Sequence, residues 1–174
     1  MIRMLLILAC AIVATPVTAA VIDRSEHGFV IEHHLTSNQS GEQVYAAVVQ
    51  QVDQWWDPAH TYSGDAANLS IDDQPGGCFC ERWSGGAVQH LQVVYAQPGK
   101  QLRLLGGLGP LQAEAVNGSM TWTITNSEEG VRLDLVYRVS GYRPGGLAGW
   151  ADPVDQVLSE QVGRLDQFLR PATE

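Results

Sequence analysis

The sequence predicts an α+β fold in which a curved antiparallel sheet of about six to seven strands wraps around one long C-terminal helix. Three observations support this prediction. A first strand and a first helix are followed by a series of short strands with no helix between them. Pro-Gly, Gly-Gly and Asn-Gly pairs separate those strands, as is usual in antiparallel sheets. The chain ends in apolar residues at helical spacing.

The first strand and the first helix follow one another directly. Residues 28–36 are rich in β-branched and aromatic side chains, which favour a strand. Ser40 and Gln43 form the Ser-x-x-Gln pattern of a capping box, which marks the start of a helix. Apolar residues recur at helical spacing from there to Trp56, and we expect Pro58 to end the helix.

Six further strands and the last helix complete the predicted order. The strands are joined by short turns, so consecutive strands should pair as an antiparallel meander. They are predicted near residues 69–72, 78–83, 88–96, 102–105, 119–125 and 131–140. The last helix is about twenty residues long, begins at Asp152-Pro153, carries an apolar stripe and ends before Pro171.

A sheet that curls around a single helix has a consequence for function. The space between the sheet and the helix becomes a cavity wherever the lining side chains do not fill it. This arrangement is called a helix-grip.

The composition excludes several classes of protein. Lysine and arginine total 10 against 19 aspartates and glutamates, and the formal charge of −9 disfavours nucleic acid as a partner. With 45% hydrophobic and 17% charged residues, the chain is typical of a globular protein and unlike a disordered one. We recognise no motif for a metal ion or a cofactor and expect neither.

Residues 1–20 are typical of a cleaved secretory signal. Arg3 precedes an apolar run over residues 4–13, and small residues follow up to Ala20. A single domain is then predicted at residues 21–174, in a periplasmic or secreted protein. The apolar run is too short to span a membrane, and no later segment qualifies. An uncleaved N-terminal anchor and a lipoprotein modified at Cys10 are the alternatives.

Cys78 and Cys80 are the cysteines that remain after signal cleavage. Side chains two positions apart lie on the same face of a strand, where a disulfide closes a strained ring. We therefore expect packed or edge thiols. A disulfide between the two cysteines and capture of a metal remain open as alternatives.

Several motifs resemble the START-like superfamily, also called SRPBCC. They are residues 55–58 (Trp-Trp-Asp-Pro), 60–62 (His-Thr-Tyr), 75–83 (Pro-Gly-Gly-Cys-Phe-Cys-Glu-Arg-Trp) and the closing helix. The resemblance covers nearly all of residues 28–170 and is to the branch with the activator of the heat-shock chaperone ATPase and polyketide-cyclase-like proteins. It implies a helix-grip domain that binds a lipid, sterol, polyketide or protein, with catalysis in some members. Export argues against chaperone activation.

The candidate ligand-binding residues are apolar or aromatic, and most of them have a polar tip. One indole of the Trp55-Trp56 pair should belong to the core, and the other is a candidate to close a pocket mouth. The resemblance places the loop with His60 and Tyr62 near the cavity entrance. The glycine-rich segment 106–111 is either a lid or a plain connection. The full set is Trp56, His60, Tyr62, Trp83, Leu108, Trp122, Tyr137 and Trp150.

Glu81 and His90 are the candidate acid–base residues. Strand alternation places Glu81 on one face with Phe79 and Trp83, where burial would raise the pKa of the carboxyl. A salt bridge to an arginine on a neighbouring strand is the alternative. His90 lies on the next strand, with Gln92 on the same face, and is either a structural imidazole or a catalytic base.

These residues lead to three hypotheses. The preferred one is an exported protein that binds a small hydrophobic molecule, such as a lipid, sterol or polyketide, between the sheet and the C-terminal helix. The second is a cyclase or isomerase that uses Glu81 or His90 as an acid or base in that cavity. The third is a protein-interaction module without a ligand, which predicts a cavity filled by its own side chains.

Overall fold

The computed structural model describes residues 20–127 and 130–171. Within these residues the chain forms eight strands and three α-helices. The strands are β1 (Ala20–Ser25), β2 (Gly28–Ser37), β3 (Leu69–Ile71), β4 (Cys78–Trp83), β5 (Gly86–Gln97), β6 (Gln101–Leu105), β7 (Asn117–Ser127) and β8 (Gly130–Ser140); the helices are α1 (Gly41–Gln50), α2 (Val52–Trp55) and α3 (Ala151–Leu169). Apart from Ala20, the predicted signal segment lies outside the described residues.

The eight strands form one open antiparallel sheet in the order β1-β2-β8-β7-β6-β5-β4-β3. Strands β3 to β8 follow one another as the predicted meander. Strand β8 then pairs along its whole length with β2, so the last strand lies against the first part of the chain. The predicted α+β fold class, an antiparallel sheet with a long C-terminal helix, is confirmed.

The sheet has one strand more than the six to seven predicted. Strand β1 forms a hairpin with β2 and occupies an edge of the sheet. The sequence pattern did not predict it because Asp23 and Arg24 interrupt its apolar residues and most of its side chains are exposed. Arg24 donates hydrogen bonds to both carboxylate oxygens of Asp152, which joins β1 to the start of α3.

The predicted first helix is two helices. The capping box of Ser40 and Gln43 is present, since each side chain accepts a hydrogen bond from the other residue's backbone N–H. The helix breaks at Gln51, whose backbone is not helical. Trp56 follows α2 in extended conformation, and for this reason both Trp55 and Trp56 are buried, where a continuous helix would bury only one.

The hydrophobic core lies between the sheet and the helices. Helix α3 packs against β1 and β2 and buries an apolar stripe composed of Leu158, Val162, Leu165 and Leu169. Each such side chain contributes about 1.5–3 kcal/mol when it leaves water. Among the described helices, none is both long and apolar enough to cross a membrane.

A β-bulge interrupts the pairing of β4 with β5. Phe79 faces Leu91, but Cys80 faces Gln89, so His90 is an extra residue on β5. His90 and Leu91 are consequently both buried, whereas strict alternation predicted His90 on a face with Gln92, which is exposed. A bulge reverses the inside–outside pattern from that point onward.

Cys78 and Cys80 are joined by a disulfide, with an S–S distance of 2.00 Å. The expectation of free thiols was therefore wrong. Regular strand geometry would separate the two Cα atoms by about 6.6 Å, whereas the register shift beside them leaves 5.3 Å. This distance lies inside the range that disulfides normally span.

Tyr137 fastens the glycine-rich loop, residues 106–111, to the sheet. Its ring is fully buried, and its hydroxyl donates to Gly106 O at 3.0 Å and accepts from Leu108 N at 2.9 Å. Burial raises the pKa of Tyr137 to about 12. Gly118 lies directly under the ring, where a Cβ atom would come within 2.5 Å of Tyr137 Cε2. The loop is therefore anchored at the Gly106–Leu108 end.

We predict that Tyr137→Phe lowers the free energy of unfolding by about 1–3 kcal/mol, because it leaves the part-buried Leu108 N–H without its acceptor. Urea denaturation measures this change. Tyr142→Phe makes the same chemical change on a ring that is 81% exposed, and it should alter the free energy by less than about 0.5 kcal/mol. Equal effects of the two substitutions would contradict the anchoring role.

Candidate functional site

A cavity of about 370 Å³ opens between the first half of α3, the loop that follows α2 and the glycine-rich loop. Most of its wall is apolar. The residues that line it are Trp56, Ala59, His60, Thr61, Tyr62, His90, Leu108, Gly109, Pro110, Trp150, Pro153, Val154, Val157 and Leu158. It lies between the helix and the sheet, as the helix-grip arrangement predicts.

The cavity exists because α3 is not packed equally along its length. Leu158 and the apolar residues after it are buried in the core. Val154, one turn before Leu158, and Val157, the residue directly before it, are only half-buried and face the open space. Trp150 adds an indole at the start of the helix and stacks with the Arg143 guanidinium, 5.1 Å from the ring centre.

The structure brings together five of the eight predicted ligand-binding residues. They are Trp56, His60, Tyr62, Leu108 and Trp150, and the candidate base His90 joins them in the cavity wall.

Three predicted residues lie elsewhere. Trp83 covers the Gly85-Gly86 turn between β4 and β5. Trp122 is buried in the core, edge-on to Trp55 at 6.4 Å. Tyr137 lies beneath the glycine-rich loop, and its hydroxyl donates a hydrogen bond to the carbonyl of Gly106.

Other lining residues were not predicted as site residues. Val154, Val157 and Leu158 belong to the apolar stripe of the last helix, and the sequence pattern does not distinguish lining from core positions within a stripe. Ala59 lies in a 3₁₀ turn after α2 and carries no motif that points to a cavity, whereas Pro110 belongs to the glycine-rich segment 106–111, the candidate lid.

Glu81 is a fully buried carboxylate next to this cavity. Its two oxygens accept hydrogen bonds from the backbone N–H groups of Tyr62 and Ser63, and its Oε2 lies 3.1 Å from His90 Nε2. Burial acts to raise the pKa of Glu81, but the hydrogen bonds from Ser63, Tyr62 and His90 outweigh it and hold the pKa below the ordinary value. The prediction of a raised pKa for Glu81 was therefore wrong. The partner of Glu81 is His90, and not an arginine of a neighbouring strand as the alternative prediction had it.

His90 is 4% exposed and is oriented by Glu81. Burial lowers the pKa of His90, and Glu81 opposes this shift only in part. The imidazole is therefore neutral at pH 7. Because an ionised carboxylate only accepts hydrogen bonds, the proton lies on Nε2 and Nδ1 carries a free lone pair. Nδ1 has no hydrogen-bond partner among the described residues.

Two aromatic rings pack close to the His90 imidazole. The Phe79 ring centre lies 5.0 Å from that of His90, and the Tyr62 ring centre lies 5.9 Å away. Phe79 in turn packs edge-on against Trp56. The plane of the imidazole is thus set by the Glu81 hydrogen bond and by its aromatic neighbours.

Polar contacts at the rim join the loop after α2 to helix α3. His60 Nε2 lies 3.1 Å from Glu160 Oε2. The Asp57 N–H donates to Gln161 Oε1 at 2.8 Å, and Arg164 donates to the carbonyl of Trp55. This loop is therefore held at both ends, by α3 at the rim and by Glu81 at the sheet.

The described residues contain no cluster of three or more His, Cys, Asp or Glu side chains that could hold a metal ion. Among the residues that line the cavity, His60, Thr61, Tyr62 and His90 carry polar groups, and Glu81 lies behind His90.

Solved structures share this fold. Ms6760 from Mycobacterium smegmatis aligns with a TM-score of 0.60 at 16% identity, over 91% of this chain and 99% of that one. CalU16 from Micromonospora echinospora aligns with a TM-score of 0.55 at 13% identity, over 91% and 87%. DynU16, a protein in the dynemicin biosynthetic locus, aligns with a TM-score of 0.56 at 20% identity, over 80% of this chain and 46% of DynU16. The chain has the helix-grip fold.

No family model matches the chain, and no curated protein matches it either. At 13–20% identity, the three solved structures establish a shared fold and do not establish an activity for this chain.

We predict that Glu81→Gln lowers the free energy of unfolding at pH 7 by about 2–4 kcal/mol. The carboxylate accepts hydrogen bonds from three N–H groups, whereas the amide of glutamine replaces one acceptor oxygen with an N–H donor. Hydrogen exchange at the Tyr62 and Ser63 amides should accelerate. Glu42→Gln makes the same change on an exposed residue of α1 and should leave both measurements near the wild-type values. Unchanged exchange in Glu81→Gln would contradict the loop-anchoring role.

Proposed function

We propose that this protein is a START-like domain that binds a small hydrophobic molecule in the cavity between α3 and the sheet. The observation that carries the proposal is the cavity itself, with about 370 Å³ and a mostly apolar wall. This volume lies within the range of small-molecule sites, which is roughly 300–1,000 Å³. The motifs at residues 55–58, 60–62 and 75–83 and the helix-grip fold support the START-like assignment.

The driving force for binding is burial of the apolar wall. Leu108, Val154, Val157 and Trp150 are half-buried at the cavity, and a guest would remove their remaining surface from water. Each Å² of apolar surface removed contributes about 25 cal/mol. A protein-interaction module predicts a cavity filled by its own side chains, and for this reason the open cavity favours ligand binding.

We also propose that the protein is exported to the periplasm or secreted. The support is the pattern of residues 1–20, with Arg3, an apolar run and small residues up to Ala20. The disulfide of Cys78 and Cys80 is consistent with an oxidising compartment.

A cyclase or isomerase is the second candidate, and the Glu81–His90 pair favours it. A carboxylate that orients a neutral imidazole is the arrangement of a general base, and the apolar cavity would shield it from water. Turnover of a compound that co-purifies with the protein, lost in both Glu81→Gln and His90→Ala, would support catalysis. Binding without turnover would support a carrier.

We expect Val157→Trp to weaken binding of the neutral apolar fluorophore N-phenyl-1-naphthylamine at least tenfold, because the indole fills the cavity. Fluorescence titration measures the affinity. Gln156→Trp adds the same side chain at the preceding position, which is exposed, and should bind the probe like the wild type. A folded Val157→Trp protein with undiminished binding would contradict the proposed site.

We predict that the mature protein begins at Val21 and is recovered from the periplasm or the medium after expression with its full N-terminus. Cell fractionation and N-terminal mass analysis test this. A variant with Ala20→Arg should stay uncleaved, because signal peptidase requires small residues at the cleavage site. Recovery of intact wild-type chain from the cytoplasm would overturn the export proposal.

A further inference from the structure

The wall of the cavity carries no acidic or basic side chain that is charged at pH 7. Apolar and aromatic residues make up most of it, and none of the described residues that line it is a lysine, an arginine, an aspartate or a glutamate. A charged group on a guest would leave water without finding an ion-pair partner in the wall, which is costly. The charges that act on the cavity therefore come from behind the wall and from the rim.

Glu81 places a negative charge directly behind the wall. Its carboxylate accepts hydrogen bonds from the Tyr62 N–H and from His90, and both of these residues line the cavity. The third donor is the Ser63 N–H. Three N–H donors suit the ionised carboxylate, which only accepts hydrogen bonds. Within the described part of the chain, the ion-pair partner of Glu81 is His90, and not a lysine or an arginine.

His90 does not neutralise this charge. A protonated imidazole would carry a second N–H at Nδ1, and the described residues offer no acceptor to that buried atom. Burial acts in the same direction and lowers the pKa of His90. One net negative charge therefore remains on the pair of Glu81 and His90. In surroundings of low dielectric constant, such a charge acts more strongly on a nearby ion than it would in water.

Two arginines near the rim already have carboxylate partners. Arg143 stacks on the Trp150 ring and donates to Glu114 Oε2 at 2.7 Å. Arg164 Nη1 lies 3.4 Å from Asp57 Oδ2. Neither guanidinium group is among the lining residues. The positive charges beside the cavity are therefore balanced before a guest arrives.

The rim adds a second carboxylate, that of Glu160. Its side chain is 44% exposed, and its Oε2 lies 3.1 Å from Nε2 of His60, which lines the cavity. A guest with a negative charge would therefore meet Glu160 at the mouth and Glu81 behind the inner wall. Like charges at both places oppose its entry.

We infer that the ligand is an uncharged apolar molecule, and that the cavity rejects amphiphiles with a carboxylate, sulfate or phosphate group, fatty acids among them. This inference rests on the proposed ligand-binding function and narrows its ligand class to neutral lipids, sterols and polyketides. An anion would lose its hydration in the apolar cavity, gain no ion pair from the wall and be repelled by Glu81 and Glu160.

The test compares 2-naphthamide with 2-naphthoate, which have nearly the same size and differ in the negative charge. Each probe displaces N-phenyl-1-naphthylamine from the wild-type protein at pH 7 and low ionic strength, where charges are weakly screened. Fluorescence gives the two affinities. The amide should bind about tenfold more tightly than the carboxylate, or better.

A pair of variants tests whether carboxylates at the site cause this preference. Glu160→Lys reverses the charge at the rim and should reduce the ratio of the two affinities about threefold or more. Glu42→Lys changes the net charge by the same amount on an exposed residue of α1, and it should leave the ratio at the wild-type value. Both residues are exposed, so neither substitution disturbs the core.

The outcomes separate the inference from the proposed function. Equal affinity of the two probes for the wild type, or tighter binding of 2-naphthoate, would overturn the charge selection and leave ligand binding intact. Equal ratios in Glu160→Lys and Glu42→Lys would overturn its electrostatic cause. If neither N-phenyl-1-naphthylamine nor 2-naphthamide binds the wild-type protein, the proposed function fails and the inference fails with it.

Discussion

The buried carboxylate of Glu81 is the interaction on which the candidate site depends. It lies in β4, out of contact with water, and accepts hydrogen bonds from two consecutive backbone N–H groups, those of Tyr62 and Ser63, and from His90. These bonds offset the large cost of removing a charge from water. One side chain thus positions both the loop that forms one wall of the cavity and the imidazole at its polar end.

The cavity itself follows from where packing stops along α3. From Leu158 onward the helix is held in the core, whereas Val154 and Val157 are only half-buried. The opposite wall is held away from them because the Tyr137 hydroxyl fastens the glycine-rich loop to the sheet. Hydrogen bonds from Glu81 and Tyr137 thus hold two of the loops that form the wall of the apolar cavity.

Features with local patterns could be predicted from the sequence. The capping box at Ser40, the turn motifs between strands and the spacing of the last helix predicted the order of elements from β2 onward, except for the break between α1 and α2. The bulge at His90 could not be predicted, because an extra residue in one strand depends on its pairing with β4. The Glu81–His90 pair and the disulfide depend on that same register. Tyr137 was predicted to contact a ligand because of its hydroxyl. The residue type alone does not show that this hydroxyl instead bonds to a backbone carbonyl.

Native mass spectrometry of the protein isolated gently from its own host would show whether a ligand occupies the cavity. We expect a mass above that of the polypeptide, because one apolar molecule is bound per chain. The extra mass should be lost on denaturation, and extraction should identify the molecule. Repeated recovery of the bare polypeptide, with no mass shift after exposure to a panel of neutral lipids, sterols and polyketides, would contradict this expectation.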